Sequence, residues 1–222
     1  MLSPHPDDLV FSCFSAMMDS KVDKRAIVFF NSSKFSRWPI HSKKLISFYR
    51  TLEDKFILES LGIKVKYLFN PDTSIENPQN TFPRAEWDLK LDPPLCIYSP
   101  LGVGGNKNHI QVRDWAIRRW IGWNKNCELC FYEDLPYAAK LGFSPDEIEL
   151  PIIRELESIC ESQIELQLRP LSREILARKI LLSKFYFSQT DYSELLESFA
   201  KIRGRSSQAG FAETIYHVRR SK

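Results

Sequence analysis

The sequence predicts an α/β fold, a mostly parallel sheet with helices on both faces, in a single domain over residues 1–222. Three observations predict it. Arg25 to Asn31 (RAIVFFN) is an unbroken apolar run closing on a polar residue, the pattern of a strand buried on both faces. Strand-like and helix-like segments alternate along the chain, the order that βαβ units impose. With 222 residues, 43% of them hydrophobic, there is material for one sizeable core.

Taken in order, Met1-Leu2-Ser3 must supply the first strand, because loop residues begin at Pro4. That strand is either very short or begins upstream of Met1. Lys43 to Leu61 carries Leu45, Phe48, Tyr49, Leu52, Phe56 and Leu61 at near-helical spacing, with Gly62 as its stop. Lys64 to Phe69 (KVKYLF) is a further strand, turned by Asn70-Pro71-Asp72. Pro93 to Ser99 is another, entering the glycine-rich loop Leu101 to Gly105, and His109 to Trp120 follows as a helix. Glu128 to Tyr132 is the next strand. Beyond Pro151 the pattern weakens: Ile152 to Leu166 mixes polar and apolar residues, Leu171 to Phe187 reads as a long helix, and Phe211 to Val218 closes the chain as a short element.

Composition narrows the function. A formal charge of +3, with Lys and Arg scattered, argues against nucleic acid as a partner. No stretch approaches the roughly 18 apolar residues of a membrane span, and no secretory leader is recognisable at Met1. Five cysteines, an odd count without scaffold density, suit a reducing cytosol, so a cytoplasmic location is expected. Cys127-Glu128-Leu129-Cys130 is a C-x-x-C inside a strand, where alternation points the thiols to opposite faces; buried structural cysteines are the expectation.

Ser3-Pro4-His5-Pro6-Asp7-Asp8 is the most informative stretch. A His and an Asp three apart, at the carboxyl end of a strand, can turn an imidazole and a carboxylate towards one metal ion. The prolines stiffen the loop, and sites in open α/β sheets form beyond such strand ends. A catalytic zinc wants three protein ligands and one open position. His109, following the loop Gly102 to Asn108, is the candidate third ligand. An isolated H-x-x-D is more often a helix cap or a surface pair; its combination with a glycine-rich loop leading into a histidine favours the metal.

These residues resemble the opening signature of the LmbE/PIG-L family of metal-dependent N-deacetylases, which act on N-acetylglucosamine-containing compounds. The resemblance continues along the chain. Arg50-Thr51-Leu52-Glu53 with Leu61-Gly62 is similar to the family's R-x-x-E helix and its L-G end. Gly104 to His109 lies where the family shows G-H-x-D-H; Tyr132-Glu133-Asp134-Leu135-Pro136-Tyr137 resembles a Y-E-D-L-P-Y stretch, and Ala212-Glu213 a late A-E. The resemblance implies a Rossmann-like fold of the LmbE type. It also implies His5, Asp8 and His109 as ligands of Zn2+ (Fe2+ being the alternative in vivo) and Asp7 as general base. The reaction implied is removal of an N-acyl group from an amino sugar or glycoconjugate, with Asp7 taking the proton of the attacking water.

Three positions depart from the family pattern: Leu9 replaces a Glu, and Asn106 and Asn108 replace the first His and the Asp of G-H-x-D-H. Asn106 can donate a hydrogen bond to an oxyanion but supplies no proton near neutral pH. Asn31 and Ser32, at a strand end, Arg50, Tyr132 and Asn108 are the candidate substrate contacts; a plain loop at 31–33 and an ordinary ion pair for Arg50 are equally open. His41 and His217 read as surface or structural histidines. The rival readings are a metal- and glycan-binding protein with little turnover, or a hydrolase of another C–N bond. The lack of a G-x-G-x-x-G after a first strand argues against a nicotinamide site. Association with further copies of the chain stays open.

Overall fold

The computed structural model describes residues 1–19, 22–72, 95–123, 127–141, 145–206 and 210–220. Its first three strands, β1 (Leu2–Ser3), β2 (Arg25–Val28) and β3 (Lys64–Tyr67), are parallel in the order β1-β2-β3. A second set, β4 (Leu95–Pro100), β5 (Cys127–Tyr132), β6 (Gln163–Pro170) and β7 (Ala212–Arg219), has the order β4-β5-β7-β6. Here β4 and β5 run parallel, while β7 is antiparallel to both β5 and β6. The sets meet where β1 lies beside β4, and Tyr132 Oη donates 2.7 Å to the Leu2 carbonyl across that seam.

The helices are α1 (Asp8–Ser12), α2 (Phe14–Met17), α3 (Lys43–Ser60), α4 (Lys107–Gly122), α5 (Tyr137–Lys140), α6 (Pro145–Cys160), α7 (Arg173–Ser183) and α8 (Ser193–Arg203). Val28 and Phe29 are fully buried, as the unbroken apolar run requires, and Phe29 meets Trp115 of α4 edge-on at 5.5 Å. Each such side chain contributes roughly 1.5–3 kcal/mol of burial. In β1, Leu2 pairs with Ile27 and Ser3 with Val28. The expected strand from Pro93 begins at Leu95 in β4, and its two prolines fall outside the described residues.

Two elements differ from expectation. The apolar residues that mark α3 lie on its outer side: Phe48 is 57% and Phe56 64% exposed. Its buried face carries Ile46, Ser47, Arg50, Asp54, Ile57 and Leu58, because that face closes over a polar site. The stretch Ile152 to Leu166 divides between α6, which continues through Pro151, and β6, largely exposed and without a clean alternation. The last element is the strand β7, buried except at its end.

Buried ion pairs tie the antiparallel strands to the helices. Glu213 of β7 accepts Lys179 Nζ of α7 at 2.7 Å and the backbone N–H groups of Phe14 and Ser15 at the start of α2. Glu133 pairs with Arg203 of α8, with Tyr216 Oη donating alongside. Cys127 and Cys130 are both buried, and Cys130 Sγ lies 3.7 Å from Cys96 Sγ.

Candidate metal centre

Residues beyond the carboxyl ends of β1, β3 and β5 line one cleft of about 210 Å³. The loop after β1 brings His5, Asp7 and Asp8 to it, and α4 begins beside it with His109. The local fold explains why adjacent aspartates part company. Asp7 takes a left-handed conformation (φ 99°), and its N–H donates to Asp54 Oδ1 at 3.3 Å. Such a backbone costs of order 1–3 kcal/mol and persists only where neighbours hold it. Asp8 turns the other way: its Oδ2 accepts the His5 N–H at 2.7 Å.

Three donor atoms form a nearly equilateral triangle. His5 Nδ1 and Asp8 Oδ2 are 3.3 Å apart, His109 Nε2 and Asp8 Oδ2 3.5 Å, and the two imidazole nitrogens 3.3 Å. Ligands held at about 2.0–2.1 Å from a tetrahedral cation stand roughly 3.3–3.4 Å from one another. The triangle therefore fits a divalent metal without rearrangement, and all three residues are buried.

The supporting groups were not legible in the spacing of His5, Asp8 and His109. Asp134, in the loop after β5, has Oδ1 at 2.5 Å from His109 Nδ1, and its Oδ2 accepts the N–H groups of Gly102 and Val103. That acceptor places the imidazole proton on Nδ1 and leaves the Nε2 lone pair for a metal. Asp72, which the sequence offered only as a turn residue, lies 3.6 Å from His5 Nε2. Asn108 Nδ2 donates to Asp72 Oδ1 at 2.8 Å and stands 2.9 Å from His5 Nε2, between the imidazole and the carboxylate.

Charge is concentrated here. Burial would lower the His5 pKa, but Asp72 and Asp8 outweigh it and hold it up to about 10. Burial pushes Asp7 well above the carboxylate range, against the pull of Arg50. For Asp8 the burial effect is overcome by His109 and His5, and its pKa falls. Arg50 Nη2 sits 3.7 Å from Asp7 Oδ2 and donates to the Pro6 carbonyl at 3.3 Å, while its buried Nε has no partner among the described residues. Arg50 lines the cleft with Asp72, Tyr137, Lys140, Gln189 and Tyr192.

The remaining candidates fall elsewhere. Tyr132 is fully buried and spends its hydroxyl on Leu2, so the structure does not bring it to the cleft; Tyr137, five residues on, does line it. Asn31 is fully buried, donating to Thr51 Oγ1 and accepting from the Phe69 N–H, and Ser32 bridges to Pro71 through its backbone. Asn106 caps α4, its Oδ1 accepting the Asn108 N–H at 2.9 Å, and its Nδ2 donates to Tyr137 Oη at 3.0 Å. His41 is exposed, and His217 lies 3.3 Å from Cys130 Sγ, away from the centre.

No family model matches the chain, and no curated protein does. Solved structures do. The zinc-inhibited form of teicoplanin deacetylase Orf2 matches over 100% of this chain and 97% of its own, with a TM-score of 0.70 and 18% identity. N,N'-diacetylchitobiose deacetylase from Pyrococcus horikoshii matches over 97% of this chain and 81% of its own, with a TM-score of 0.66 and 13% identity. GalB, the 4-carboxy-2-hydroxymuconate hydratase of Pseudomonas putida KT2440, matches over 100% and 95%, with a TM-score of 0.65 and 12% identity. At these identities the likeness is one of fold, and that fold is the α/β architecture expected of an LmbE-type deacetylase. Among the described residues no helix is long and apolar enough to cross a membrane.

Proposed function

We propose that the chain is a metal-dependent hydrolase that removes an N-acyl group from an amino sugar or a conjugate bearing one. The observation that carries the reading is the buried His5, Asp8 and His109 triangle with Asp7 beside it in the same cleft. Zinc is the metal we favour, with ferrous iron equally suited to two imidazoles and a carboxylate. Bound there, the metal would polarise the acyl carbonyl and acidify water. The chain's own residues do the rest. Asp7 Oδ2, oriented by Arg50, accepts the proton of the attacking water and returns it to the leaving nitrogen. Asp134 and Asp72 hold the two imidazoles in orientation. Arg50 and Asp72 line the cleft as donor and acceptor for a polyhydroxylated ligand.

A teicoplanin deacetylase and an N,N'-diacetylchitobiose deacetylase share the fold, which supports an N-acyl substrate. The second reading is a protein that keeps metal and ligand but turns over little; Asn106, which cannot supply a proton, favours it. Metal analysis with acetate release from a panel of N-acetylamino sugars separates the two. Full-length protein should bind about one metal per chain, His5→Ala and His109→Ala should lose it, and Asp7→Asn should keep it while losing most turnover. Stoichiometric metal in both histidine variants would overturn the centre. Metal without turnover on any substrate would leave the binding reading.

A further inference from the structure

We propose that Tyr137 is a catalytic residue, donating its hydroxyl hydrogen bond to the oxyanion that forms during acyl transfer in this cleft. The inference rests on the hydrolase reading above and names a hydrogen-bond donor for the oxyanion in a chain that carries Asn at position 106.

The direction of one hydrogen bond carries it. An Asn side chain presents one carbonyl oxygen and one amide group, and at position 106 the capping bond settles which is which. Oδ1 accepts the N–H of Asn108 at 2.9 Å as α4 begins, so the amide nitrogen is the end that faces Tyr137 Oη, 3.0 Å away. The phenol is therefore the acceptor in that contact. A hydroxyl that accepts along one direction keeps its own proton for another, and Tyr137 lines the cleft shared by His5, Asp7 and Asp8. A phenol, with an ordinary pKa of about 10, keeps that proton on oxygen at neutral pH.

Position is held as well as polarity. The Tyr137 ring meets the His109 ring edge-on, with centroids 5.3 Å apart. On its other side it presses against Gly104, where an added Cβ would come within 2.9 Å of Tyr137 Cβ. Gly104 also has φ +83°, so glycine serves twice: it permits the turn and leaves room for the tyrosine. Asn106, which the sequence suggested as an oxyanion donor, acts instead through Tyr137 as a positioning residue.

In the reaction, the water oxygen bonds to the acyl carbon and the carbonyl electron pair moves onto oxygen, while the water's proton passes to Asp7. The pair then returns, the C–N bond breaks, and the proton goes to the departing amine. The Tyr137 proton stays on Oη throughout; only its hydrogen bond strengthens as charge grows on the acceptor. One such donor changes kcat by roughly 100- to 1000-fold where it has been removed from other enzymes.

The test uses metal-loaded enzyme. Tyr137→Phe keeps the ring against His109 and Gly104, so metal content should stay at wild type. Expected is a fall in kcat of about 100-fold with KM changed less than threefold. Calorimetry supplies a second reading. A phosphonate analogue of the tetrahedral intermediate should bind the variant about 100-fold more weakly, whereas the product amine should bind both proteins alike. Asn106→Ala, which leaves the phenol in place but unoriented, should lose about tenfold in kcat. Wild-type kcat in Tyr137→Phe, or an equal loss for analogue and product, overturns the assignment while leaving the hydrolase reading intact. A wild-type protein that neither releases acetate nor binds the analogue overturns both.

Discussion

His109 Nδ1 stands 2.5 Å from Asp134 Oδ1, and neither side chain is exposed to solvent. The relationship fixes the imidazole tautomer at the centre, because the same carboxylate is anchored at its other oxygen by the N–H groups of Gly102 and Val103 at 2.7 and 2.8 Å. Asp134→Ala should therefore weaken metal binding by about 10- to 100-fold without removing a ligand. Competition against a chelator of known affinity measures it. Unchanged affinity would show that the imidazole holds its orientation without the carboxylate.

A stability prediction concerns Lys179, whose ammonium is fully buried 2.7 Å from Glu213 Oε1. Lys179→Met deletes the cation and leaves the Glu213 carboxylate inside the protein with, among the described residues, the Phe14 and Ser15 N–H groups as donors. Breaking one side of a buried pair costs about 3–5 kcal/mol, mostly the burial of the charge left behind. Denaturant titration should show that loss, and Lys179→Met with Glu213→Gln should recover part of it. A single variant as stable as wild type would mean that the pair contributes no net stability.

What was legible in the sequence, and what was not, follows from how local each signal is. His5, Asp7 and Asp8 share one short loop, and His109 follows a run of glycines, so neighbouring residues advertise them. Asp134, Asp72 and Asp54 lie on separate elements, brought together only when β1, β3, β5 and α3 pack. Asp134 stands inside the Tyr132–Tyr137 stretch, but no spacing ties any of the three to the metal ligands. Tyr132 and Tyr137 look alike in the sequence, yet the strand end between them sends one into the seam beside Leu2 and the other into the cleft. In α3 the apolar stripe gave the helix its period but not its orientation, since Arg50 and Asp54 had to face inward to reach Asp7. The same loss of signal explains β6: an edge strand with most side chains in solvent needs no alternation.

Asp54 gives the fold a pH dependence of predictable sign. Its carboxylate accepts Tyr186 Oη at 2.7 Å, Tyr67 Oη at 2.9 Å and the Asp7 N–H. Burial nevertheless raises its pKa from 3.8 to about 6. The folded state then holds this proton more tightly than the unfolded chain does. Its contribution to stability is full below pH 3.8 and is lost as pH rises towards 6. Over that window the loss is on the order of 1–3 kcal/mol. Asp54→Asn should remove it, so the stability of wild type relative to the variant should fall between pH 4 and pH 6.5. A constant difference across that range would place the titration elsewhere.

Asn108 yields the prediction that runs against intuition from the family pattern. Restoring the aspartate that the LmbE/PIG-L resemblance expects at this position should harm the protein rather than repair it. The Asn108 amide sits 2.8 Å from Asp72 Oδ1, and both residues are buried, at 0% and 2% exposure. Asn108→Asp exchanges a donor for a second carboxylate and sets two acceptors face to face in the interior. The expected cost is about 1–3 kcal/mol, from the lost hydrogen bond and the repulsion between the two carboxylates. Asn108→Asp with Asp72→Asn swaps donor and acceptor across the same contact and should regain most of that stability. Thermal unfolding of the metal-free proteins reads this without interference from the ion. An Asn108→Asp protein as stable as wild type, or a double variant worse than the single, would show that the amide does not set the charge balance behind His5.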